Sequence, residues 1–163
     1  MPNAQASTRP VQPTASVGTP AVHERGRDGA TLQDHLRLIS EMTREFTASA
    51  DYKTIAHSAL ERITKYIGAE AASLFLLGDD ADILACSACY GPVDITGLRI
   101  SARTGVVGRA VQTREGLLVR DVNQDADFGA AVDAKTGFKT RSLLVAPLSI
   151  GRDCLGAIEI INR

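Results

Sequence analysis

Two runs close to the end of the 163-residue chain constrain it most: SLLVAPL at 142–148 and LGAIEIIN at 155–162, joined across the turn Gly151-Arg152-Asp153. A strand with one wet face alternates apolar and polar residues. These runs are apolar at nearly every position, which predicts an antiparallel pair covered on both faces. Any fold that contains them needs further structure on each side of the sheet.

Helices for one of those layers stand upstream. From Thr31, the residues Leu32, Leu36, Ile39, Met42 and Phe46 recur at spacings of three and four, and Thr31 precedes Asp34 by three as a cap. Leu32, Ile39 and Phe46 also form a seven-residue series, which fits either core packing or pairing with a second copy in a dimeric signalling helix. Asp51 opens a second helix with Ile55, Ala56, Ala59, Leu60, Ile63 and Ile67 on one face, and Gly68 closes it. His57 points away from that face and reads as a solvated position. Strands follow at 71–77 and 83–89 around a Gly78-Asp79-Asp80 turn, then at 98–100 and 117–119, with a short helix over 105–113 between them. Helices ahead of an antiparallel sheet with long crossovers describe an α+β domain over 30–163. Residues 1–29 hold four of the six prolines among small and polar residues, and are expected to form a disordered tail.

The charge balance narrows the function. A net charge of −1 supplies no basic field for nucleic acid or an anionic membrane surface. No apolar run is long enough to span a bilayer, and the first residues do not read as a secretory signal. The three cysteines, Cys86, Cys89 and Cys154, are an odd number and fit a reducing, cytoplasmic setting. Strand alternation would put Cys86 and Cys89, three apart, on opposite faces as small buried hydrophobes. All three histidines lie at or before His57, so a metal centre, haem or bilin has little to draw on downstream.

Three groups of residues carry chemistry. Gly105-Val106-Val107-Gly108 begins a helix, where free N–H groups favour an anion such as a phosphate; alternatively its glycines only shape a turn against the sheet. Asp133, Thr136 and Thr140 would share a helix face, but Gly137 interrupts it, so loop geometry must bring them together for capping or for a ligand. Ser73 shares a strand face with Phe75 and Leu77, and Glu159 shares one with Ala157 and Ile161. A carboxylate in that setting must find a partner, whether backbone, the Arg141 guanidinium or a ligand.

In order and spacing, AASLFLL (71–77), TGVVGRAVQT (104–113), VRDVNQDADF (119–128), VDAKTGFKTRSLLVAPL (132–148) and LGAIEIINR (155–163) resemble the GAF domain. The pattern is most like that of the regulatory GAF domains of cyclic-nucleotide phosphodiesterases and bacterial adenylyl cyclases. The resemblance implies a central antiparallel sheet with N-terminal helices on one face and pocket loops on the other, binding cAMP or cGMP. It implies that Asp133, Thr136 and Thr140 belong to a lid anchored by Phe128 and Phe138, that Ser73 faces a purine, and that Glu159 helps hold the lid threonines. Val106 and Val107 would flank the ligand, with Cys89 and Tyr90 lining its base.

No catalytic residue, metal or cofactor follows from the resemblance. The expected role is a sensor, a homodimer through its N-terminal helices, relaying to an effector domain of a longer protein. Two departures stand out: Gly129 replaces an aromatic that often follows the lid phenylalanine, and the sequence given stops at Asn162-Arg163, before the C-terminal helix such domains carry. A ligand-free dimerisation scaffold is one alternative. The other is a GAF-type reductase of free methionine sulfoxide, whose family carries a cysteine where this chain has Val107.

Overall fold

A computed structural model describes residues 31–48 and 51–163; the expected tail at 1–29 lies outside the described residues. Helices α1 (Leu32–Ala48) and α2 (Tyr52–Ile67) come first, then β1 (Ala71–Leu77), β2 (Ile83–Tyr90), β3 (Arg99–Ser101), α3 (Gly105–Thr113), β4 (Leu117–Val119), a 3₁₀ turn (Val122–Gln124), α4 (Ala131–Thr136), β5 (Leu143–Ile150) and β6 (Asp153–Ile161). The six strands form one antiparallel sheet in the order β3-β2-β1-β6-β5-β4. Among the described residues no helix is long and apolar enough to cross a membrane.

Local signals set the helix ends. Thr31 donates from its N–H and its hydroxyl to Asp34 Oδ2 at 2.8 and 2.7 Å, and its Oγ1 accepts from the Asp34 N–H, a reciprocal cap. Asp51 accepts from the N–H groups of Lys53 and Thr54 at the start of α2. At its end Gly68 takes φ +72°, and the N–H of Ala69 reaches back to the Thr64 carbonyl.

α2 covers one face of the sheet. Leu60 is buried against Ala72, Ala88 and Ile160, and the two alanines let the helix approach closely. The opposite face carries the larger core, with Phe75, Leu84, Val145, Ala157 and Ile161 packed beneath Val106, Val107, Ala110 and Val111 of α3. Cover on both faces is therefore realised at β1 and β6. It stops short at the β5–β4 end, where Leu118 and Leu144 sit opposite one another and are 60% and 37% exposed on the helix side.

α1 is the less embedded helix. It meets α2 through the edge-on rings of His35 and Tyr66, 5.5 Å apart, and through Glu41 with Arg62 at 3.0 Å. Leu32 and Ile39 of the seven-residue series are 74% and 60% exposed, as is Leu36 in large part, so core packing does not account for them.

One irregularity changes the reading of β2. Leu74 pairs with Ala88 but Phe75 pairs with Cys86, leaving Ser87 as an extra residue. The bulge shifts the alternation by one place and puts Cys86 and Cys89 on the same face, both in the larger core. The expectation of opposite faces is corrected for that reason. Burial pushes the Cys86 thiol up to about 12, with the neighbouring Cys89 thiol adding to the effect.

Gly156 in β6 permits a close backbone approach to β1. With φ +153°, a Cβ there would overlap the Phe75 carbonyl and come within 2.9 Å of Leu76 Cα. Gly156→Ala is expected to lower the unfolding free energy by about 3 kcal/mol or more. Gly129→Ala, whose Cβ would meet open space, should stay within about 0.5 kcal/mol of the parent. Urea denaturation of the two variants checks the contrast.

Candidate functional site

Between the sheet face bearing Phe75 and the layer formed by α3, α4 and their loops lies a cavity of about 440 Å³. Ser73, Cys89, Tyr90, Val106, Val107, Phe128, Asp133, Thr136, Thr140 and Glu159 all line it, so the fold gathers these ten residues around one space, while Gly108 and Arg141 lie outside it. Their individual settings differ.

At one end α3 begins. Thr104 is its N-cap residue, in extended conformation, but makes no side-chain capping bond, and Gly105 follows at φ +78°. The first N–H groups of α3 thus have no side-chain cap beside the cavity, the arrangement that attracts an anion. Gly108 is held elsewhere: a Cβ there would lie 3.0–3.2 Å from backbone atoms of Ala102 and Ser101, so it serves helix packing.

The segment over the cavity is α4 and the chain that returns from it. Gly137 ends α4 at φ +72°, with its N–H on the Asp133 carbonyl at 2.8 Å. The turn brings Thr140 back to Asp133, whose carboxylate accepts from the Thr140 N–H at 2.8 Å and from its hydroxyl at 2.7 Å. Thr136 instead donates to the Val132 carbonyl and accepts from the Phe138 N–H, so its hydroxyl is occupied within the segment. Phe128 and Phe138 rest on the larger core. Arg109 of α3 holds the chain ahead of Phe128, bonding Asp125 at 2.7 Å and also Asp127.

Cys89 faces the cavity, with its Sγ accepting from the Ile95 N–H at 3.4 Å, while its carbonyl oxygen lies 2.8 Å from His57 Nδ1 on α2. His57, read as solvated from the sequence, is exposed and in addition joins the helix layer to the strand. Tyr90 reaches the rim of the cavity, but its ring packs on the α2 side, edge-on to His57 and 6.0 Å from Lys65 Nζ.

Ser73 and Glu159 are direct partners across β1 and β6 and form part of the floor, with Val145 of β5 buried in the core beside Glu159. Of the partners considered for Glu159, Arg141 is engaged elsewhere: its guanidinium pairs with Glu70 at 2.6 Å. Neither threonine of the segment bonds to Glu159; Thr140 is held by Asp133. Burial therefore pushes the Glu159 carboxyl up to about 7, and the nearby Asp133 carboxylate adds to the rise. Two cations at the cavity, Arg99 at the start of β3 and Lys135 in α4, were not singled out from the sequence. Neither belongs to an apolar pattern that would have marked it.

Comparison with known proteins agrees with this fold. The family model of the GAF domain matches residues 51–163. The chain is 25% identical over 146 residues to dual 3′,5′-cyclic-AMP and -GMP phosphodiesterase 11 of Drosophila melanogaster, with 80% of this chain and 10% of that protein covered. It is also 25% identical over 159 residues to the probable 3′,5′-cyclic phosphodiesterase pde-5 of Caenorhabditis elegans, with 86% and 22% covered. The chain thus spans less than a quarter of the length of either relative. Among solved structures, the GAF domain of a phosphoenolpyruvate-protein phosphotransferase from Coxiella burnetii superposes with a TM-score of 0.72 at 19% identity, covering 80% of this chain and 78% of that one. Free methionine-R-sulfoxide reductase from Neisseria meningitidis gives 0.67 at 20% identity, with 82% and 77% covered. At these identities the two structures establish the fold alone.

The raised Glu159 carboxyl makes stability depend on pH. The folded chain binds that proton more tightly than the unfolded chain, so its contribution is fully present below the ordinary glutamate value of 4.5 and is lost as pH rises to about 7. The loss amounts to about 3 kcal/mol. Glu159→Gln should remove this slope, so the variant gains on the parent between pH 5 and 8 in urea denaturation.

Proposed function

The chain belongs to the GAF domain family, and on that premise we propose that it is a regulatory sensor that binds a cyclic nucleotide, cAMP or cGMP, and relays occupancy through α1 and α2 to an effector region of a longer protein. The observation that carries this reading is that the uncapped start of α3 and the Asp133–Thr140 pair border the same cavity. A cyclic phosphate carries one negative charge, which suits backbone N–H groups at a helix start. Val106 and Val107 offer apolar surface beside it, and Ser73 and Glu159 offer a hydroxyl and a carboxyl to a base or sugar. The cavity lies within the usual range of small-molecule pockets, roughly 300–1,000 Å³. No chemical step on the ligand belongs to this reading.

Relay to a partner copy is a further part of the proposal. Leu32, Leu36 and Ile39 form an exposed apolar strip on α1, which suits a homodimer through the N-terminal helices.

A second reading has one observation in its favour. The β2 bulge places two thiols together with Cys89 at the cavity, as a thiol-dependent reductase of a sulfoxide would require. There, two thiols would pass two electrons to the sulfoxide, giving a thioether, water and a Cys86–Cys89 disulfide. The Cys86 thiol, pushed up to about 12, opposes it, because the thiolate is the attacking form. Turnover of methionine sulfoxide with a thiol reductant would favour this reading over the sensor.

Isothermal titration with cAMP and with cGMP tests the sensor directly. Heat of binding is expected with at least one, and Asp133→Asn or Thr140→Ala should weaken it by about tenfold. Silence with both nucleotides overturns the proposal. For the dimer, light scattering should show a concentration-dependent dimer in the parent and a monomer in Ile39→Asp; a parent that stays monomeric removes that part.

A further inference from the structure

Asn162, immediately after β6, is 4% exposed and holds φ +60°, a conformation that asparagine tolerates better than other non-glycine residues. Its side-chain amide is fully used. Oδ1 accepts from the N–H of Arg141 at 2.7 Å and of Ser142 at 3.3 Å, while Nδ2 donates to Glu70 Oε2 at 2.7 Å and to the Lys139 carbonyl at 2.9 Å. Two of these partners, Lys139 and Arg141, flank Thr140, the residue tied to Asp133 over the cavity. Glu70 lies two residues beyond Gly68, the end of α2, and its N–H donates to the Ile161 carbonyl. Arg141 closes the ring by pairing with Glu70.

From this arrangement we infer that Asn162 is a positioning residue that couples the segment over the cavity to the end of α2. Thr140 cannot leave Asp133 with its neighbours in tow without unseating a buried amide, and a buried polar group left without partners costs free energy. The same amide holds Glu70, so displacement of the 139–141 segment releases the turn that follows α2. Because coupling is reciprocal, loosening at either end must be felt at the other. The inference rests on reading the Asp133–Thr140 segment as the lid of the site, but not on which ligand the lid covers.

Amide hydrogen exchange on the ligand-free chain tests it, read by mass spectrometry over 66–70, 131–141 and, as a control, 105–113. Asp133→Asn disturbs only the lid end, yet should speed exchange over 66–70 by roughly fivefold, the lower end of measured couplings. Asn162→Asp keeps shape and acceptor but removes the donor to Glu70 and Lys139. It should loosen both ends while sparing 105–113, and Asp133→Asn added to it should cause no further change at 66–70. Speeding confined to 131–141 in Asp133→Asn overturns the inference, and so does uniform loosening that includes 105–113 in Asn162→Asp. If Asn162→Asp does not fold, the Asp133→Asn measurement decides alone. Since no ligand is present, calorimetric silence with cyclic nucleotides would count against the sensor reading and leave this result unaffected.

Discussion

The antiparallel pairing of β1 with β6 joins two half-sheets that share no other strand contact, β3-β2-β1 on one side and β6-β5-β4 on the other. It runs from Ala71 opposite Ile161 to Leu76 opposite Gly156. The floor of the cavity is built on this seam, because Ser73 of β1 and Glu159 of β6 are direct partners in it. So is the support beneath the lid: the turn after α2 bonds to Ile161, and the residue after that strand, Asn162, holds the chain on either side of Thr140. Helix layer, pocket and lid each take their position from the same two strands.

Much of this was legible because it depends on local chemistry. The caps at Thr31, Asp51 and Gly68, the short helix starting at Gly105 and the break at Gly137 are set by residues within a turn of the place where they act. The strands at the end of the chain were legible from their unbroken apolar character, and the resemblance their order carries marked positions that line the cavity. What stayed hidden depends on distant partners. Ser87 is an ordinary strand residue until its neighbours pair with β1, and only that pairing shows that one position is surplus and that Cys86 and Cys89 share a face. Arg141, considered as a partner for Glu159, pairs instead with Glu70, which the turn after α2 brings beside it. Leu144 reads as buried in sequence, yet the helix layer does not extend to cover it.

Glu159 shows how placement converts an ordinary side chain into a constrained one. Its position in the middle of a central strand follows from alternation, but the unfavourable surroundings do not, since they depend on Arg141 being engaged and on Asp133 lying across the cavity. Three acidic groups, Asp127, Asp133 and Glu159, and two basic ones, Arg99 and Lys135, border the same space. A site with both signs of charge selects by orientation, since an anion placed at the wrong end meets a carboxylate.

The two edge strands, β3 and β4, are three residues long. An edge that short offers few unpaired backbone groups, so a neighbouring molecule gains little by adding a strand to either margin. β1 and β6, the long apolar strands best suited to templating such growth, are interior and saturated on both sides. Strand addition is thereby limited at β3 and β4, and the stretch of β5 beyond its pairing with β4, residues 146–150, carries Pro147, which has no N–H to offer a neighbouring strand.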